Sequence, residues 1–341
     1  MSIQIIDASR LLANPPPPIE WALEGVLPVG TVGDIFGPPG DGKSSLTLDF
    51  AVAVASGARN WYGLPCVAGP VVLLGGERSG MAAFSRDIHR AVRERRLDPG
   101  MLIVPQNAHG ECPPLLAWDK KDDCWTVTSW GDEITTWLEG IRPTLIIIDT
   151  LISAATGANI IDQPQQYALG VTIRRWAKKL GDPTVLTISH TNQASAQQEL
   201  AWRLHYLSRA GGNGLPGALR WAAGVSRICV SDVLCAQLDL CEKVRDSRFI
   251  AFGVSKNNEM PRSCWNNETP ALFELKSDGG LLLVADGKEV AKKLRQAATD
   301  KTDTKKKKKD AAVVPFGRVN DHDKNKYLQA KNGGYSDDDQ W

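Results

Sequence analysis

Thr31-Val32-Gly33-Asp34-Ile35-Phe36-Gly37-Pro38-Pro39-Gly40-Asp41-Gly42-Lys43-Ser44-Ser45 is the stretch on which the reading of the whole chain turns. Thr31 to Phe36 is a short apolar run that predicts a strand, and Ser44 to Ala55 predicts an apolar helix ending near Gly57. Between them, Gly37 to Ser44 fits the spacing G-x-x-x-x-G-K-S at every fixed position, in the strand-loop-helix context that the motif requires. Glycines there let backbone N–H groups converge on phosphate oxygens, and the positive end of the following helix favours a bound anion. The expected ligand is ATP, cradled by Gly37, Pro38, Pro39, Gly40, Asp41, Gly42, Lys43, Ser44 and Ser45. Lys43 is expected to reach the β- and γ-phosphates, and the Ser44 hydroxyl to ligate Mg²⁺.

Outward from this loop, apolar runs at Val71 to Leu74, Met101 to Val104, Leu145 to Ile148 and Thr184 to Ser189 read as strands. They alternate with helical patterns at Met81 to Arg96, Asp132 to Leu138 and Gln166 to Leu180. Continuous apolar strands alternating with helices predict an α/β fold, a P-loop NTPase core with a mostly parallel central sheet flanked by helices. Beyond about residue 215 the runs Ser226 to Val230, Arg248 to Val254, Ala271 to Leu275 and Gly280 to Val284 follow one another without long helices. The edge strands toward the C-terminus are therefore expected to be antiparallel.

Residues 1–18, closing on Pro15 to Pro18, read as an N-terminal arm, and 19–298 as the ATPase domain. Within it, 105–130 reads as an irregular insertion bearing Trp118, Trp125 and Trp130. Residues 299–341, with Lys305 to Lys309 and a closing acidic run, read as a disordered charged tail. A net charge of +1 over 341 residues means that any polyanion site must come from local charge. Seven cysteines, an odd number without a C-x-x-C pair, disfavour a disulfide framework and a zinc knuckle, and the gaps between Cys229, Cys235 and Cys241 are too wide for usual zinc signatures. Reduced thiols and no structural metal are expected. Neither a signal segment nor a membrane span is apparent, so the expectation is a cytoplasmic protein with no membrane partner.

Three further residues fall at predicted strand ends, where ligands gather in a parallel sheet. Asp149 closes the apolar run Leu145 to Ile148, which suits a carboxylate beside the Mg²⁺ shell. Thr150 follows it, so a base must come from elsewhere, and Glu77 just after Val71 to Leu74 is the candidate to orient the attacking water. His190, after Thr184 to Ser189, suits a γ-phosphate sensor.

Pro15 to Pro18 followed by Trp21, the P-loop, Gly75-Gly76-Glu77, Ile147-Ile148-Asp149-Thr150, Ser189-His190, Leu219-Arg220-Trp221 and Phe252-Gly253-Val254-Ser255-Lys256 occur in one order. That order resembles the RepA-type replicative helicases of mobilisable plasmids, hexameric members of the RecA/DnaB superfamily, over about residues 13–285. The resemblance implies a RecA-like core in which Lys43 and Ser44 hold ATP and magnesium, Asp149 is the Walker B acid, Glu77 the catalytic base and His190 the sensor. It makes Arg220 an arginine finger toward the neighbouring subunit and Lys256 a second cation at that interface. One departure is Gly211-Gly212-Asn213-Gly214, where the family has Arg-Gly-Ser.

The function so implied is an ATP-dependent DNA helicase, a homo-hexameric ring moving on single-stranded DNA in plasmid or mobile-element replication. The alternatives are a RecA-like ATPase that loads or remodels a protein partner, and a nonenzymatic nucleotide-dependent scaffold. In a ring, the loops after the Asp149 and His190 strands face the channel. The second, residues 191–213, offers Arg203, Tyr206 and Arg209, with His205, as cations for phosphate and an aromatic for stacking on single-stranded DNA.

Overall fold

The computed structural model describes residues 9, 12, 15–75, 81–159, 161–211, 213–259, 263–276, 280–297 and 299. One compact unit runs from Met1 to Leu294 and a second from Arg295 to Trp341. The lysine run of the tail lies outside the described residues, as does most of the N-terminal arm.

Nine strands form the central sheet: β1 (Val32–Gly37), β2 (Val71–Leu74), β3 (Leu102–Ile103), β4 (Leu145–Asp149), β5 (Thr184–His190), β6 (Trp221–Arg227), β7 (Arg248–Asn257), β8 (Ala271–Leu275) and β9 (Leu281–Ala285). Their order is β9-β8-β7-β6-β1-β5-β4-β2-β3. All contacts from β6 to β3 are parallel, and β6-β7-β8-β9 are antiparallel. The structure is thus an α/β fold with a mostly parallel sheet and an antiparallel edge, as the spacing of apolar runs predicts.

Why β4 is apolar at four successive positions follows from the two layers that cover it. Leu145 and Ile147 pack in one core with α1 (Lys43–Ala55) and α2 (Met81–Arg95). Ile146 and Ile148 pack in the other, with α3 (Ser129–Ile141) and α4 (Gln163–Lys179). A strand buried on both faces needs no polar alternation. Nearly every residue of α1 is buried, because it runs across the middle of the sheet with α2 on its outer side. Each fully buried large aliphatic chain here contributes about 1.5–3 kcal/mol relative to exposure.

Caps set the helix starts on the other face. Thr128 accepts from Gly131 N at 3.0 Å ahead of α3, and Asp162 from Gln165 N at 3.0 Å ahead of α4. Both helices begin three residues earlier than the apolar pattern suggests, because the cap rather than the first apolar residue defines the end.

Two readings need correction. The segment 105–130 is not wholly irregular: Leu116–Asp119 and Cys124–Val127 pair as an antiparallel hairpin that joins Ala155–Thr156 in a small sheet. Trp125 is its buried anchor, donating Nε1–H to Gln165 O at 2.8 Å and meeting Trp118 edge-on. The strand expected at Ser226 to Val230 instead occupies Trp221–Arg227. It starts earlier because the Trp221 ring packs over Gly33 of β1, where a Cβ would come within 2.5 Å of Cε3.

Candidate active site

The carboxyl ends of β1, β5, β4 and β2, four consecutive parallel strands, converge on one edge of the sheet. Gly37 is opposite His190 in the β1–β5 register, and Asp149 is opposite Ile188 in β4–β5. The P-loop leaves β1 between two neighbours, so Gly37 must be bare: a Cβ would lie 2.0 Å from Val225 O. Gly40 (φ 76°) and Gly42 (φ 86°) take left-handed backbone, the conformation that turns the loop into α1.

Lys43 is the first residue of α1 and is buried. Its Nζ donates to Gly37 O and Pro38 O, each at 2.8 Å, and lies 3.4 Å from His190 Nδ1. An ammonium can only donate, so this contact takes Nδ1 in its unprotonated form. Ser44, Asp149, Gly75, Thr47 and Gln106 line one cleft beside it. The half-exposed Ser44 hydroxyl and Asp149 carboxylate are hard oxygen donors facing the same space, so the residues fit a magnesium ion carried with ATP. Ser45 is the next residue of α1 and also half-exposed. Glu77 and Gly76 lie outside the described residues.

Asp41 is tied down by a contact the sequence does not announce. Its Oδ2 accepts from Arg227 N at 2.8 Å and from Ser226 Oγ at 3.3 Å, while Arg248 Nη1 donates to Gly40 O at 3.3 Å. These bonds hold Pro39 to Asp41 against the ends of β6 and β7. The Asp41 side chain therefore braces the loop, leaving its backbone to meet a phosphate.

Arg203 and Arg209, expected as cations for a DNA backbone, do not offer their charges to solvent. Arg203 is buried, and its Nη2 donates to both oxygens of Asp232 at 2.7 and 2.6 Å while Nη1 donates to Arg227 O. Arg209 is buried too, with Nε donating to Asp34 Oδ2 at 2.8 Å and to Ser189 Oγ at 2.9 Å, and Nη1 to Ala210 O at 2.7 Å. A guanidinium held by a buried carboxylate would leave an unpaired charge if it turned outward. Short helical turns at Gln193–Ala196, Leu200–Arg203 and Tyr206–Ser208 fold the loop onto the sheet. Tyr206 remains half-exposed and stacks on His205 at 4.6 Å, which stacks in turn on the exposed Trp202 at 5.5 Å. Burial holds the His205 imidazole below its usual pKa, which keeps the middle ring of this stack neutral.

Arg220 and Lys256 fall elsewhere. Trp221 is opposite Gly33 at the start of β1, and Lys256 is opposite Ala222, so both cations sit at the sheet edge away from the P-loop. Arg220 is exposed and lines an open groove with Arg174, Arg175, Lys178, Asp182 and Glu259. Its carbonyl accepts from Asn258 N at 3.0 Å, while among the described residues its side chain makes no hydrogen bond or ion pair. Lys256 Nζ donates to Pro216 O and stands 6.0 Å above the Tyr206 ring. Burial first, and the nearby Arg220 charge second, pull the Lys256 pKa below its ordinary value.

All seven cysteines are free thiols. Among the described residues no helix is long and apolar enough to cross a membrane, and no group of three or more His, Cys, Asp or Glu could hold a metal ion.

Among solved structures the chain is similar to the crystal structure of a KaiC-like protein from the hyperthermophilic archaeon Pyrococcus horikoshii OT3. The two are 14% identical with a TM-score of 0.46, over 79% of this chain and 100% of that one. The AAA domain family matches residues 3–196, more than half of the chain. With its P-loop intact and Lys43, Ser44, Asp149 and His190 at one edge of a RecA-like sheet, the chain belongs to the AAA domain family and is an ATP-binding P-loop ATPase module.

Proposed function

We propose that this ATPase works as a homo-oligomer, a hexameric ring, in which each subunit completes its neighbour's site and the ring moves on single-stranded DNA. The observation that carries the reading is where Arg220 lies. It is one strand-length from its own P-loop, about 20 Å for the six residues of β1. A finger at that edge serves a phosphate only across a subunit boundary, where such a group raises turnover by about 10³–10⁵.

In this scheme Lys43 and the amides of Gly37 to Ser45 hold the phosphates, and Ser44 with Asp149 holds magnesium. Glu77 orients the attacking water, His190 senses the γ-phosphate, and Lys256 stands beside Arg220 as a second cation. Bound ATP supplies the reactive phosphoryl group. The Trp202, His205 and Tyr206 stack is a surface on which bases could pile. The burial of Arg203 and Arg209 favours a second reading, a RecA-like ATPase that loads or remodels a protein partner, because the loop is left short of free cations for a DNA backbone.

Two measurements test this. Arg220→Ala should bind a nonhydrolysable ATP analogue normally yet lose turnover, and mixing it with Lys43→Ala should restore activity, since each variant supplies what the other lacks. Full activity of Arg220→Ala alone would rule out the shared site. Single-stranded DNA should stimulate ATPase with a salt-sensitive response that Tyr206→Ala weakens; indifference to DNA selects the remodeller.

A further inference from the structure

We infer that Arg209 is a positioning residue for His190, fastening the sensor strand, the P-loop strand and the returning loop into one unit through a buried charge. The inference rests on the sensor reading of His190.

Asp34 is fully buried in the middle of β1, three residues before the P-loop begins. Its Oδ1 accepts from Thr187 Oγ1 at 2.7 Å, and its Oδ2 from Ser189 Oγ at 2.6 Å and Arg209 Nε at 2.8 Å. Thr187 and Ser189 are on β5, and Ser189 is the residue before His190. Arg209 adds bonds to Ser189 Oγ at 2.9 Å and to Gln166 Oε1 of α4 at 3.5 Å. Beside it, Ala210 N donates to His190 O at 2.8 Å, and Thr191 bridges to Arg209 in antiparallel fashion.

The backbone of His190 is thus held on one side by β1 and on the other by the segment that Arg209 anchors. Its Nδ1 in turn stands 3.4 Å from Lys43 Nζ. Asp34 and Arg209 are 175 residues apart in sequence, and each lacks another charged partner among the described residues. A charge pair buried this deeply is seldom the most stable filling of a core, since a hydrophobic pair of equal volume often does as well. What the fork adds is direction, because guanidinium geometry fixes where each bonded group must lie.

The test uses the full chain labelled at histidine Cε1, whose five histidines give a readable spectrum; His190→Asn assigns the signal. Arg209→Met leaves Asp34 charged and alone and is liable to misfold, so Asp34→Asn/Arg209→Met is the deciding variant, and Arg209→Lys is the conservative control. The folded double variant should show a shifted or broadened His190 signal. Its kcat for ATP should fall by at least about tenfold, with the affinity for a nonhydrolysable analogue changed by less than about threefold. Arg209→Lys should recover part of both effects. An unmoved His190 signal, or wild-type turnover in the folded double variant, overturns the inference. A wild-type chain that does not hydrolyse ATP would instead sink the sensor reading, and the spectrum would still report whether Arg209 positions the ring.

Discussion

Replacing Gly75 by alanine should separate what the strand ends contribute to the site from what they contribute to the fold. Gly75 directly follows β2 at φ 136°, a conformation that L-residues rarely adopt, and a Cβ there would lie 1.9 Å from Asp149 O and 2.5 Å from Asp149 C. An aliphatic carbon approaches a carbonyl oxygen no closer than about 3.3 Å, so the ends of β2 and β4 would have to part by roughly 1.4 Å. The backbone strain costs about 1–3 kcal/mol and the forced repacking about 1–3 kcal/mol more. Moving Asp149 by that distance relative to Ser44 should lower turnover by about 10²-fold, since misplacement on the order of 1 Å has that effect. Gly57→Ala is the control: its φ is 73° and nothing lies within 4 Å of an added Cβ, so only the backbone term of about 1 kcal/mol applies. We predict that urea denaturation ranks Gly75→Ala at least about 1 kcal/mol below Gly57→Ala, and that ATPase assays separate them by about two decades. Equal stabilities, or full turnover in Gly75→Ala, would refute the reasoning that this glycine keeps Asp149 in place.

Two other predictions follow from buried groups. Arg203→Met should destabilise by about 3–5 kcal/mol because Asp232 is left charged and buried, and adding Asp232→Asn should recover most of that loss; equal losses in single and double variants would exclude a charge effect. With iodoacetamide at neutral pH, the exposed Cys124 and Cys229 should be alkylated first. Cys66 and Cys235 should resist, since burial pushes both thiols up to about 11 and leaves almost no thiolate at that pH. Mass spectrometry reads the order, and labelling of Cys66 at the rate of Cys124 would contradict it.

The parts of the molecule legible in its sequence are those where one local signal had one physical meaning. Val71–Leu74 and Ala271–Leu275 are found at the residues expected, because short apolar runs bounded by turn residues have little else to be in an α/β chain. The strand Trp221–Arg227 was harder, since Ala222-Ala223-Gly224 carries no β-branched chain; its small residues answer to the close approach of Leu204, whose Cα would be 2.4 Å from a Cβ on Gly224. The hairpin at Leu116–Val127 does leave a trace, two short runs around the polar turn Lys120 to Asp123, each carrying one tryptophan. Arg203 and Arg209 read as free loop cations, yet each meets a buried carboxylate far along the chain, a difference that the local sequence does not carry. The trace that could have corrected Arg209 is Asp34, an acid inside an apolar strand that has to find a partner once buried.

Strand direction decides which side chains share an edge of the sheet. β1, β2, β4 and β5 are parallel, so everything that follows a strand in sequence, the P-loop, Gly75, Asp149 and His190, gathers at one edge. β6 is parallel to β1 as well, and Arg220 precedes it, which sends that arginine to the other edge. Had β6 been antiparallel to β1, Arg220 would stand beside the P-loop of its own chain and a lone subunit could hold a complete site. The antiparallel turn comes one strand later, at β7, and returns Lys256 to the edge where Arg220 lies. A single reversal of direction between β6 and β7 thus gathers two cations at the edge away from the P-loop, and the proposed site shared between subunits rests on that separation.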